Sequence, residues 1–166
     1  MKTELLYLTN SYLQEFEAVV KEVNNDKYVV LDKTCFYYSS GGQPHDTGKL
    51  IKNEEEFNVV YVGKFSGNIS HEVDKPGLKI GDKVKGIIDW DRRYKFMRYH
   101  TASHILSTLI NKKTGALITG NQIGLDSTRV DFSLENFDRE KFNEYVEEAN
   151  KIIDQNLQIQ HQQLFC

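Results

Sequence analysis

Sulfur and proline are scarce in this chain, with two cysteines, Cys35 and Cys166, and two prolines among 166 residues. The cysteines lie far apart with no CxxC between them, which excludes a disulfide framework and fits a reducing cytosol. No long apolar run follows Met1-Lys2-Thr3-Glu4, and the longest uncharged stretches are too short to span a bilayer. A soluble, cytoplasmic protein with no membrane association is therefore expected. Charge of one sign is also missing: the formal net charge is −3, so a nucleic-acid surface would have to be a local patch. Internal repeats and low-complexity segments are absent. What is present is apolar mass: 39% hydrophobic and 11% aromatic residues suffice for a packed core and exclude disorder.

The chain changes character near Asp89. Before it, short β-rich segments alternate with turn signals. Gln14 to Val23 carries Phe16, Ala18 and Val20 at period two, and Tyr28 to Leu31, Phe57 to Val62 and Val84 to Ile88 are apolar runs of strand length. Many short strands with such punctuation suggest a small barrel or sandwich. Glu54-Glu55-Glu56 reads as a solvated hairpin tip. After Asp89 the spacing turns helical, from about Asp91 to Asn111, closed by Lys112-Lys113-Thr114-Gly115. Leu117 to Ile123 and Ser127 to Phe132 read as strands. A second helix starts at a cap near Asp138, and its stripe of Phe142, Tyr145, Val146, Ala149, Ile152 and Ile153 is expected to be core.

His100 and His104 stand four apart in the first helix, so both imidazoles leave the same face, one turn above the other. That spacing offers two nitrogens to one metal ion, although such pairs are more often a polar stripe or a hydrogen-bonded pair. Thr101 follows the first histidine, which excludes the HExxH metalloprotease pattern. Arg92, Arg93, Lys95 and Arg98 lead into the pair, either as a solvated face or as an anion-binding surface. A second unusual stretch, Phe36 to Gly48, contains Ser40-Gly41-Gly42-Gln43 and Asp46. Its two glycines admit backbone closed to other residues, while Gln43 presents a donor and an acceptor together. It is no Walker loop, because no Gly-Lys-Ser/Thr follows, and composition alone favours a tight turn with polar decoration.

Taken together, these stretches resemble the alanyl-tRNA editing family, which includes the free-standing AlaX-type proteins and the editing domain of alanyl-tRNA synthetase. The resemblance runs through Phe36-Tyr37, Ser40-Gly41-Gly42-Gln43, Asp46-Thr47-Gly48, Asp91-Arg92-Arg93, Met97-Arg98 and His100-Thr101-Ala102-Ser103-His104. Asn121-Gln122-Ile123-Gly124 and Val130-Asp131-Phe132 continue it in order. It implies an α+β protein: a small β-barrel domain over residues 1–88, then a threonyl/alanyl-tRNA synthetase editing-type domain over 89–166. The implied activity is an aminoacyl-tRNA deacylase, hydrolysing the ester of tRNA(Ala) mischarged with Ser or Gly. Zn²⁺ would be held by His100 and His104, which with Gln122 form the implied catalytic set. Ser103, Gln122, Gly41, Gly42, Gln43 and Asp46 would meet the substrate, and Arg92, Arg93 and Arg98 the RNA phosphates. A pocket that admits alanine cannot strongly reject serine or glycine by size, which is why a second hydrolytic site exists.

One departure stands beside the match. The family completes its metal site with a Cys-x-x-x-His motif beyond the second helix, and this chain stops at Cys166. The stretch Leu157 to Cys166 resembles the strand before that motif, so a chain truncated ahead of it is expected, with Cys166 and His161 as weak substitutes. A non-catalytic tRNA-binding module and a fragment of alanyl-tRNA synthetase are the alternative readings.

Overall fold

The computed structural model describes residues 2–134 and 138–159; His161 and Cys166 lie outside them. The strands are β1 (Glu4–Leu5), β2 (Glu15–Asn24), β3 (Tyr28–Leu31), β4 (Lys33–Thr34), β5 (Gly48–Lys52), β6 (Glu55–Phe65), β7 (Asn68–Val73) and β8 (Lys83–Ile88). Then follow helix α1 (Trp90–Thr114), β9 (Ile118–Ile123), β10 (Thr128–Phe132) and helix α2 (Arg139–Asp154). Six antiparallel strands close into a barrel in the order β2-β3-β7-β6-β5-β8, while β9 and β10 form a separate antiparallel pair. The architecture is α+β, with the barrel preceding the helical part as expected.

Barrel formation follows from alternation. Along β2, Phe16, Ala18 and Val20 point inward and Glu15, Glu17 and Lys21 outward, as the period-two pattern requires. In β6 the alternation breaks at a register shift between Val59 and Tyr61, so Phe57, Val59 and Val62 are inside while Tyr61 faces out. Phe36, Leu50, Phe57 and Ile69 are among the side chains that fill the barrel, and burying each is worth about 1.5–3 kcal/mol. Sequence reading missed β5, whose five residues open on a glycine and carry two lysines. In β7 a histidine interrupts the apolar pattern. That residue, His71, is fully buried: its Nδ1 lies 3.0 Å from the Val29 carbonyl and its Nε2 2.9 Å from the Thr34 hydroxyl. Burial pulls its pKa down to about 4.

Asp89 ends the barrel and caps α1, its side chain accepting from the Arg92 amide, and Gly115 in the left-handed region closes the helix. Asp138 caps α2 by accepting from the Glu140 and Lys141 amides. The stripe on α2 is less buried than its spacing promised. Only Ala149 is fully buried, and Ile153 is 44% exposed. The reason is the cover available: among the described residues, the sheet beside the helices has just two strands. Glu55 and Glu56 belong to β6, and the tip of that hairpin is Asn53-Glu54, both with positive φ.

Candidate active site at the glycine turn

The glycine stretch is a four-residue turn. Ser40 and Gln43 exchange backbone hydrogen bonds of 3.1 and 2.9 Å around Gly41 and Gly42, whose φ values are 58° and 79°. Two consecutive positive φ angles define a type I′ geometry, which explains the glycine pair. The turn is tied to β9. The Gly42 carbonyl accepts from the Ile123 amide (2.9 Å) and the Gly41 carbonyl from Asn121 Nδ2 (3.3 Å), both on β9. A Cβ on Gly42 would fall 1.8 Å from Asn121 Oδ1, so any side chain here would push the Asn121 amide off the turn.

Helix α1 holds the same loop from the other side. The buried Arg93 guanidinium makes a two-point ion pair with the buried Asp46 carboxylate and donates to the Cys35 carbonyl at 2.7 Å. Asp46 also accepts from the Tyr37 amide at 2.7 Å. Burial pushes the Asp46 pKa up, opposed by the Arg93 guanidinium and the Tyr37 amide. Two turns along the same face, the Nδ1 of His100 lies 2.9 Å from Gln43 Oε1. The His100 and His104 rings are nearly parallel, with centroids 5.0 Å apart and planes 16° apart. Burial first, and the neighbouring His104 second, lower the pKa of His100, which favours the neutral form that ligates metals. No side chain among the described residues hydrogen-bonds the His104 ring. The pair therefore fits half of a tetrahedral zinc set; no cluster of three or more His, Cys, Asp or Glu occurs among the described residues.

Beside His104 is a depression of about 430 Å³ lined by Ser107, Thr108, Asn111, Leu117 and Ile118. Ser103, Thr108 and Thr114 donate their hydroxyls to the carbonyl four residues back. Ser107 does not: its Oγ is buried and has no hydrogen-bond partner among the described residues.

A family model described as tRNA synthetases class II (A) matches residues 2–92, more than half of the chain. The chain belongs to that family. Within it, the chain is 61% identical over 162 residues to Alanyl-tRNA editing protein AlaX-M of Methanosarcina acetivorans, covering 93% of this chain and 66% of that protein. It is 44% identical to AlaX-M of Saccharolobus solfataricus, over 95% of this chain and 66% of that protein. Similarity to Alanine--tRNA ligase of Pyrococcus abyssi is 40% over 92% of this chain but 17% of the ligase. The chain spans just under two thirds of the length of the AlaX-M relatives, and the resemblance to alanyl-tRNA editing proteins stands.

For this class II (A) chain, the structure sorts the implied site residues. It gathers His100, His104, Gln43, Gly41 and Gly42, and puts Asp46 behind them in the ion pair. Arg93 is withdrawn from the phosphate surface expected for it, because burial and Asp46 occupy its guanidinium. Arg92 is half-buried, lying 4.7 Å over the Phe96 ring and donating to the His45 carbonyl at 3.3 Å. Arg98 alone of the three is exposed. The Ser103 hydroxyl donates to Tyr99 O at 2.8 Å, and the residue lines a groove with Leu106, Val130 and Ala149. Gln122 is exposed on β9, on the strand face alternate to Asn121. Sequence reasoning missed three contributors: Asn121, which it met only inside a motif, the Arg93–Asp46 pair, and Ser107, which no pattern marks. Cys35 is buried, its thiol pushed up to about 11 by burial.

Proposed function

We propose that this chain is the larger part of a trans-editing aminoacyl-tRNA deacylase, hydrolysing the ester of tRNA(Ala) mischarged with Ser or Gly in the cytoplasm. The observation that carries the reading is the pair of parallel imidazoles, 5.0 Å apart, seated against the glycine turn. Relatives named as alanyl-tRNA editing proteins support it. No helix among the described residues is long and apolar enough to cross a membrane.

His100 and His104 would hold Zn²⁺, which when bound supplies a Lewis acid for the ester carbonyl. The protein's own groups orient the substrate around them. Gly41, lacking a side chain, keeps open the space beside His100: a Cβ there would sit 3.6 Å from His100 Cε1. The unpaired Ser107 hydroxyl gives a seryl hydroxyl a buried partner that an alanyl methyl cannot satisfy, which disfavours the correctly charged tRNA. Arg98 neutralises phosphate without reading bases.

The test is deacylation of Ser-tRNA(Ala) and Ala-tRNA(Ala) with added zinc, beside His104→Ala and a chelator control. Hydrolysis of the seryl ester that both treatments abolish supports the reading. Hydrolysis indifferent to His104 and to chelation refutes the metal assignment, and binding of tRNA without hydrolysis refutes the enzyme.

A further inference from the structure

We propose that Gln43, supplied by the barrel, is a positioning residue for the metal site: it takes the Nδ1 proton of His100 and leaves Nε2 as the metal-binding nitrogen. The inference rests on the reading that His100 ligates a metal, and it names the residue that prepares it.

The argument is one of donors and acceptors. An amide oxygen only accepts, so the 2.9 Å contact between Gln43 Oε1 and His100 Nδ1 requires the proton on Nδ1. A neutral imidazole carries one N–H, so Nε2 is then a bare lone pair. Histidine ligands ordinarily hand their second nitrogen to such an acceptor, which fixes both tautomer and ring plane. His104 has no such partner among the described residues. His100 is thus the pre-set ligand of the pair, and His104 the one free to adjust.

The acceptor is itself over-determined. Gln43 is 5% exposed and closes the type I′ turn through its exchange with Ser40. The turn is anchored on β9 by Asn121 and Ile123, and three residues beyond Gln43 the Asp46 carboxylate is gripped by Arg93 of α1. Arg93 and His100 share a helix face two turns apart, so the helix holds the loop at one point and receives its amide at the next. The metal site is therefore not a property of the HxxxH helix alone. A loop 57 residues away in sequence selects which nitrogen is offered.

The test reads the tautomer directly. In the whole chain labelled with ¹⁵N, without metal or tRNA at about pH 8, His100 should show a protonated Nδ1 and an unprotonated Nε2. Gln43→Leu, which removes the acceptor at similar volume, should move the proton toward Nε2. Gln43→Glu, which keeps an oxygen acceptor, should hold it on Nδ1. Competition with a chromophoric chelator should then give a zinc affinity roughly 10–100-fold weaker for Gln43→Leu and close to the parent for Gln43→Glu. Nε2–H in the unsubstituted chain, which the reversed amide would impose, overturns the proposal and needs no variant to be folded. So does a tautomer or zinc affinity that Gln43→Leu leaves unchanged. Because the tautomer is read without substrate, absence of deacylation would count against the proposed function and leave this inference intact.

Discussion

The buried histidine of the barrel makes the most quantitative prediction. His71 sits with Nδ1 donating to the Val29 carbonyl and Nε2 accepting from the Thr34 hydroxyl, whose oxygen accepts the Phe36 amide at 3.1 Å. Each polar atom of this chain is satisfied only while the ring is neutral. A second ring proton would face the Thr34 oxygen, deprive that hydroxyl of its acceptor, and charge a group with no exposed surface. Burial accordingly holds the folded pKa at about 4, against an ordinary value of 6.5. Between those values the unfolded chain binds the proton and the folded one does not, so stability rises with pH through this window. The contribution is fully present above pH 6.5 and is lost progressively as pH falls to about 4. At about 1.36 kcal/mol per pH unit the loss amounts to roughly 3 kcal/mol. Urea unfolding at a series of pH values, with His71→Gln as the comparison, isolates it, because the other titrating groups are common to both chains. The variant should be less stable at neutral pH, and its stability should fall by about 3 kcal/mol less across the window. Parallel curves for the two chains would refute the reasoning.

The buried ion pair should behave oppositely to a surface one: Arg93→Met leaves Asp46 buried and unpaired, at a cost of about 3–5 kcal/mol, and Arg93→Met with Asp46→Leu should recover part of it in a double-mutant cycle. Gly42→Ala should cost more than Gly67→Ala, although both glycines have similar φ, 79° and 87°. Each pays about 1–2 kcal/mol for left-handed backbone, but only Gly42 would also collide with Asn121, and denaturant midpoints measure the difference. Ser107→Ala should narrow the discrimination between Ser-tRNA(Ala) and Ala-tRNA(Ala) in kcat/KM while leaving the fold unchanged; unchanged discrimination would remove Ser107 from the pocket. Arg98→Ala should weaken tRNA binding and lower the slope of log Kd against log salt by roughly one contact.

Local physics made much of this protein legible before any tertiary contact was known. Alternation in Phe16-Ala18-Val20 set the inward face of β2, Tyr28 to Leu31 bounded β3, and the Asp138 cap located the start of α2, because each depends on residues a few positions apart. The pairing of His100 with His104 follows from helical pitch in the same way. What spacing could not decide was which partner each face would meet. Arg92, Arg93 and Arg98 look alike in sequence, and only the fold buries Arg93 against Asp46, 47 residues away, while leaving Arg98 in solvent. The α2 stripe shows the same limit: periodicity names the apolar side, but burial depends on the cover that other elements provide. Likewise the Gly-Gly-Gln stretch reads in sequence as a tight turn, which it is. Its purpose comes from contacts 57 and 80 residues away, at His100 and Asn121, because a hydrogen bond across the fold is encoded in topology and not in spacing.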